Sequence, residues 1–281
     1  MVNEMAMPSK SLALPLRISK LKKHYVRGGL FGHRVRVDAI NGIDLDVRAG
    51  QTLALVGESG SGKSSVARCA AGLEKPDAGE IWIGDQDVYR SSSRDLFFLR
   101  ELVQLIFQET TTSINPRFTA SQAVEEPLLI RGKGAPERKA FAEKCLRNVG
   151  LDPESCTRSI LKFSGGQRQR IAIARALTLS PRVLILDESL SGLDLSTQAQ
   201  IANLLLRLQK EQSLTYLLVS HDLSLVARMA DVIAVMAEGR IVETGPAKQI
   251  LSSPKHQATV RLVDAARTAH DNLAVAAGDK A

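Results

Sequence analysis

The chain has 281 residues, too many for a minimal module and few for three domains, so one large domain, or one with a sizeable insertion, is expected. Apolar residues make up 44% and charged residues 24%, ordinary soluble usage that excludes wholesale disorder and collagen-like repeats. Lys and Arg outnumber Asp and Glu by 37 to 30, a net charge of +7; the excess is spread rather than blocked, and a solvated basic surface accounts for it without nucleic acid.

In chain order, the opening MVNEMAMPSK carries no basic segment followed by a long apolar stretch, and SLALPL is shorter than a secretory signal. No later run approaches the ~18 apolar residues of a membrane-spanning helix. A cytosolic protein that meets membranes through a partner is the expectation. Strand-like apolar runs then recur: TLALVG (52–57), IWIGD (81–85), VLILDE (183–188), TYLLVS (215–220) and VIAVM (232–236). Several are continuous and rich in Leu or β-branched residues, which suits strands buried on both faces of a parallel sheet. Their alternation with helical patterns predicts an α/β fold. The middle, about 91–178, lacks such runs and reads as a helical insertion; ERKAFAEKCLRNVG follows Ala135-Pro136 and has Gly150 as its stop. The Ala-rich tail from about 256 is expected to hold little structure. Cys69, Cys145 and Cys156 lack the paired spacing of a disulfide or zinc framework and read as small buried hydrophobes or surface thiols.

GESGSGKS, Gly57 to Ser64, fits G-x-x-x-x-G-K-[ST] between an apolar strand and SVARCAAGL, a helix of small residues. Glycines let successive N–H groups curl inward at phosphate oxygens, and the following helix adds its positive end. Gly57, Glu58, Ser59, Gly60, Ser61, Gly62, Lys63, Ser64 and Ser65 are therefore nucleotide-binding candidates. Lys63 is placed to reach the β- and γ-phosphates, and the Ser64 hydroxyl to hold Mg²⁺. VLILDE closes on two acids, costly at the end of a buried strand unless they serve a cation or a reaction. Strand alternation should aim them differently. Asp187 suits Mg²⁺, and Glu188 suits an attacking water as general base or orienting acceptor.

FSGGQRQRIAIARAL (163–177) lies between these motifs. Ser164 is a good N-cap, Gly165 and Gly166 open the backbone, and the helix runs toward Ser180-Pro181. This is a second anion-binding helix start in one chain, which suggests that it serves a neighbour. With these motifs in this order, about residues 15–250 resemble the ATP-binding cassette subunit of an ABC transporter. The resemblance implies a P-loop NTPase core of RecA-like type over 15–90 and 179–250, within an ATP-binding domain of 15–255. A helical subdomain over 91–178 is inserted before the signature, with tails at 1–14 and 256–281. It implies that Ser164, Gly165, Gly166 and Gln167 close over ATP held by another subunit. It also implies that Gln108 touches Mg²⁺ and couples to the membrane domain, that Asp194 belongs to the inter-subunit aspartate loop, that His221 senses the γ-phosphate, and that Tyr25 stacks on adenine.

HYVRGGLFGHRVRVDAINGIDL, GLEKPDAGEIWI and FQETTTSINPRFTASQAVEEPL resemble the importer branch for peptides, nickel and related metal chelates. Departures stand at Glu109-Thr110 and at Gly192, where the family commonly has Ala. The branch implies two transmembrane permeases, a second cassette ATPase in a heterodimer or homodimer, an extracytoplasmic solute-binding protein, and a place on the cytoplasmic face of the membrane. Another cargo, an amino acid, a lipid or an exported compound, is an alternative within the family, and two further alternatives differ in class. A cassette acting on DNA would need a long coiled coil between its halves, and one acting on the ribosome usually has two cassettes per chain. A regulatory cassette would lack the glutamate, histidine or signature serine, all of which are present.

Overall fold

The computed structural model describes residues 15–27, 35–90, 92–107 and 114–278; Gln108 and the departure at Glu109-Thr110 lie outside them. Two sheets share one side of the molecule's core. The smaller is antiparallel, with β1 (Leu16–Arg27), β2 (Val35–Val47), β4 (Ala78–Ile83) and β5 (Gln86–Asp87) in the order β2-β1-β4-β5. The larger comprises β3 (Thr52–Val56), β6 (Val103–Ile106), β7 (Val183–Asp187), β8 (Thr215–Val219), β9 (Val232–Ala237) and β10 (Arg240–Pro246), in the order β10-β9-β3-β8-β7-β6. All its neighbours pair in parallel except β10 with β9.

Every residue of β3, β7 and β8 is buried. Alternate side chains divide between two cores, as a sheet covered on both faces requires. Leu53, Leu55, Val183, Ile185, Leu217 and Val219 face the core shared with the antiparallel sheet and α1 (Lys63–Ala70). Ala54, Leu184, Leu186, Tyr216 and Leu218 face the core shared with α6 (Leu195–Gln212), α7 (Leu223–Met229) and the helical layer. Tyr216, fully buried, donates its hydroxyl to the Leu205 carbonyl at 2.8 Å, so the polar end is satisfied and the ring fills the core.

That helical layer holds α2 (Ser93–Leu102), α3 (Ala120–Ile130), α4 (Ala135–Asn148) and α5 (Gly165–Leu177). Helix α4 covers the expected segment and ends just before Gly150. Cys69, Cys145 and Cys156 are all free and buried, and burial pushes the Cys69 thiol up to about 12 and Cys145 to about 11, which keeps them as unreactive thiols.

Three expectations are corrected. IWIGD does not join the parallel sheet: β4 pairs with β1, and only Ile81 and Ile83 turn inward, the alternation of a sheet with one covered face. The middle segment is not wholly helical, because Val103–Ile106 pairs in parallel with β7 at the sheet edge. Four residues with two half-buried among them carry too little apolar signal to be read alone. The tail is also ordered. After the short helix α8 (Ala247–Ser252), residues Gln257–Gly278 form α9, packed through Val263. Its entry is fastened by Glu243 of β10, whose carboxylate accepts from the N–H groups of Lys255 (3.0 Å) and His256 (2.9 Å). The His256 ring caps the helix locally, its Nδ1 accepting from Ala258 N–H at 3.2 Å, while Glu243, distant in sequence, holds the two residues that lead into it. Replacing Glu243→Ala removes hydrogen bonds to both residues and should cost about 1 kcal/mol. Hydrogen exchange should then speed up over 257–267 while β3, β7 and β8 stay protected; unchanged exchange at the helix would refute the fastening.

Candidate active site

Strand β3 ends at Val56, and the chain turns through Gly57–Gly62 into α1. A Cβ on Gly57 would stand 2.1 Å from the Met236 carbonyl oxygen, and one on Gly62 2.0 Å from that of Ala39, with φ at +153° and +108°. No side chain fits either place, so the loop presses against β2 and β9 because it is glycine there. The Ser61 carbonyl accepts from Gly239 N–H at 3.1 Å, and the Gly239 carbonyl accepts from Asn41 N–H at 2.7 Å. Glu58, Ser59 and Gly60 form the exposed lip.

Lys63 opens α1 and is only 4% exposed. Its ammonium donates to the carbonyls of Gly57 (2.9 Å) and Glu58 (2.8 Å) and reaches the Ser61 hydroxyl at 3.4 Å. Burial holds its pKa below the usual lysine value, against the opposing pull of the Glu188 and Asp187 carboxylates. The cation is thus stored on loop carbonyls, at the start of a helix whose first N–H groups have no intrahelical acceptor.

Asp187 closes β7 and accepts from the Ser64 hydroxyl at 3.0 Å. Burial raises its pKa; the Ser64 bond opposes that, and the Glu188 charge adds to it. Glu188 stands one residue further on at φ +48°, a left-handed conformation that non-glycine residues adopt at a cost. Its Oε1 lies 3.4 Å from Nδ1 of His221, just after β8. The Ser191 hydroxyl and backbone N–H both donate to the Glu188 carbonyl, and Glu188 N–H donates to Val219, which holds the turn. The two acids do have different partners, but the left-handed turn, rather than strand alternation, aims Glu188. Ser64 and Asp187 together make an oxygen-rich pair beside a lysine at a phosphate-type loop. That donor set fits a small hard cation such as Mg²⁺.

Tyr25 of β1 reaches the same helix. Its hydroxyl donates to the Glu74 carboxylate and lies 3.1 Å from the Ser65 hydroxyl, while the Lys23 ammonium sits 5.5 Å from its ring centre. Glu74, which also takes Arg68 at 3.3 Å, pins this ring, and no motif in the sequence marks it.

A second cluster gathers at the start of α5. Ser164 caps the helix: its hydroxyl accepts from Gln167 N–H at 3.3 Å, and Gln167 Oε1 accepts from Ser164 N–H at 3.0 Å, a reciprocal capping box. A Cβ on Gly166 would stand 2.4 Å from the Thr197 methyl, so this turn packs on the first turn of α6. Gly165 lies over Leu193. Asp194 caps α6 in turn, accepting from Thr197 N–H (2.9 Å) and its hydroxyl (2.7 Å); these bonds hold its carboxyl below the usual carboxylate value. Ser164 and Asp194 are both exposed. The structure therefore brings Gly57–Ser65, Asp187, Glu188, His221 and Tyr25 to one place, and Ser164–Gln167 with Asp194 to another.

The raised pKa of Asp187 has a thermodynamic sign. The native state keeps the proton to higher pH than the unfolded chain, so stability falls as pH rises from the ordinary carboxylate pKa through the raised one. Above that window a buried charge persists. Asp187→Asn removes it while keeping an acceptor for Ser64. The nucleotide-free variant should melt higher at pH 7, by about 2–4 °C for each ~1 kcal/mol relieved, and the gain should shrink toward pH 4. A lower Tm at pH 7 would contradict the assigned cost.

Known proteins resemble this chain in sequence and in fold. The family described as "ABC transporter" matches residues 40–191. The dipeptide transport ATP-binding protein DppF of Escherichia coli K12 is 43% identical over 252 residues, covering 89% of this chain and 75% of the relative. The glutathione import ATP-binding protein GsiA of Pectobacterium atrosepticum is 42% identical over 256 residues, covering 89% of this chain and 41% of the relative. Among solved structures, the dimeric bacterial ABC transporter cassette MJ0796 superposes with a TM-score of 0.73 at 28% identity, covering 83% of this chain and 98% of that one; the same cassette has been solved as a dimer bound to ADP and Pi. The chain belongs to the ABC transporter family, as an ATP-binding subunit whose ATPase activity is coupled to transport.

Proposed function

We propose that this chain energises uptake of short peptides through a separate permease pair. The observation that carries the catalytic reading is the meeting of Lys63, Ser64, Asp187, Glu188 and His221 at one edge of the sheet. In this reading Lys63 leaves the Gly57 and Glu58 carbonyls for the β- and γ-phosphates, so ATP exchanges one set of acceptors for another. The N–H groups of Gly60–Ser65 and the start of α1 hold the remaining phosphate oxygens. Ser64 and Asp187, with Gln108 from the branch's motif, would hold Mg²⁺, which would supply positive charge against the phosphates. Glu188 orients the attacking water or takes its proton, and His221 donates to the γ-phosphate where charge accumulates. Tyr25, fixed beside Ser65, offers its ring to adenine.

Exposed Ser164 and Asp194, with the half-buried Gly165, Gly166 and Gln167 beside Ser164, form a face that serves the ATP of a second cassette in this reading. The dimeric structures of the MJ0796 cassette support such a pairing. The peptide cargo rests on the relatives, which include dipeptide and glutathione transport proteins; nickel remains the branch's other cargo class. A groove of about 480 Å³ between the helical layer and β6 is lined by Phe97, Phe107, Pro127, Ile130 and Ala172, and Phe97, Phe107 and Ile130 expose large apolar surface. Such a patch marks a contact surface, and Phe107 immediately precedes Gln108. It is where a permease docks in this reading, which places the chain on the cytoplasmic face of the membrane. An extracytoplasmic binding protein presents the peptide on the other side.

The test uses Glu188→Gln. It should bind ATP with wild-type affinity yet lose turnover by about 10²–10⁴-fold. With ATP bound, the tagged variant should recover two polytopic permeases, a second cassette and a binding protein from solubilised membranes. Normal turnover would remove Glu188 from its role, and recovery of ribosomes or DNA-bound proteins without a permease would remove the importer.

A further inference from the structure

Gln198 lies in the first helical turns of α6 and is 8% exposed, a position where a neutral amide must find a partner. Its Nε2 donates to Oδ2 of Asp222 at 2.7 Å. The other oxygen of that carboxylate, Oδ1, accepts from the N–H groups of Ser224 (2.9 Å) and Leu225 (3.2 Å) and so caps α7. Asp222 N–H donates to the Ser220 hydroxyl at 3.0 Å. The carboxylate is thus divided: one oxygen holds its own helix, and one answers to α6.

Each end of the Gln198–Asp222 bond abuts a different part of the site. Asp222 is the chain neighbour of His221, whose Nδ1 is 3.4 Å from Glu188. Four residues before Gln198, Asp194 caps the same helix through Thr197, and the Thr197 methyl fills the space over Gly166 at the signature turn. A helix turn is stiff, and a charge-assisted hydrogen bond is short and directional. A movement of the Asp194 turn therefore either carries Asp222 with it or breaks the bond. A misplacement of ~1 Å at reacting groups can cost about 10²-fold in rate. We propose that Gln198 is a positioning residue, through which the turn bearing Asp194 sets the place of His221 against Glu188. This rests on the reading in which Glu188 and His221 act on water and the γ-phosphate.

The test exchanges the partners, with the full chain assayed in its assembled complex. Gln198→Glu sets two carboxylates against each other. The double variant Gln198→Glu/Asp222→Asn restores an amide–carboxylate pair with the roles reversed, and the amide introduced at 222 keeps an oxygen for Ser224 and Leu225. Gln198→Glu should lower kcat by about tenfold or more while leaving KM for ATP within about twofold. The double variant should return to within about threefold of Asp222→Asn alone, a recovery that independent sites do not show. Should Gln198→Glu fail to fold, Gln198→Met keeps the side chain's length without its polar atoms and should show the same loss in kcat. Wild-type kcat in the folded single variant, or a double variant no better than Gln198→Glu, overturns the proposal. Glu188→Gln and His221→Ala run alongside. If either turns over normally, the reading of the site falls and takes this inference with it. If both stall while every Gln198 variant is normal, only the role of Gln198 falls.

Discussion

The structure depends on three parallel strands that are buried on both faces and end at the same edge. Strands β3, β7 and β8 expose no residue, so any group needing water, phosphate or a cation has to sit where those strands stop. The glycine loop follows β3, Asp187 and Glu188 end and follow β7, and His221 follows β8. Ligand sites at the carboxyl ends of strands are the general rule for open α/β sheets. Here the rule follows from the cost of placing charge anywhere else in a doubly covered sheet.

The same edge carries the molecule's electrostatic strain. Lys63 is desolvated with its pKa pushed down, and Asp187 is desolvated with its pKa pushed up. Each shift marks a charge that is better satisfied by a ligand than by the protein alone. The left-handed turn at Glu188 adds backbone strain held in place by Val219 and Ser191. Stability is given up locally, while the two apolar cores on either side of the sheet supply it. Binding that stabilises the native state relieves this cost directly.

The exposed signature turn is a different kind of construction. Ser164 and Asp194 satisfy their helix starts locally, through Gln167 and Thr197, so both are held by neighbours in the chain. The two turns meet where Gly166 packs on Thr197. A surface fixed by its own chain neighbours is preorganised for contact, as proposed above for a second cassette.

Residue order alone reveals what depends on local pattern. The glycine loop was legible because no side chain fits at Gly57 or Gly62. The buried strands showed as unbroken apolar runs, and the cap at Ser164 showed because capping is a matter of neighbours. What could not be read locally was set by distant partners. Val103–Ile106 is a strand because β7 offers it an edge, and α9 is ordered because Glu243 fastens its start and Val263 finds a core. Tyr25 is held by Glu74, which no motif flags. Gln198 in isolation is one more polar residue on a helix, and only the fold sets its amide against Asp222. Periodicity and spacing record what a residue needs from its neighbours in the chain. A hydrogen bond or an apolar contact across many residues leaves no such record, because each partner alone is compatible with many others.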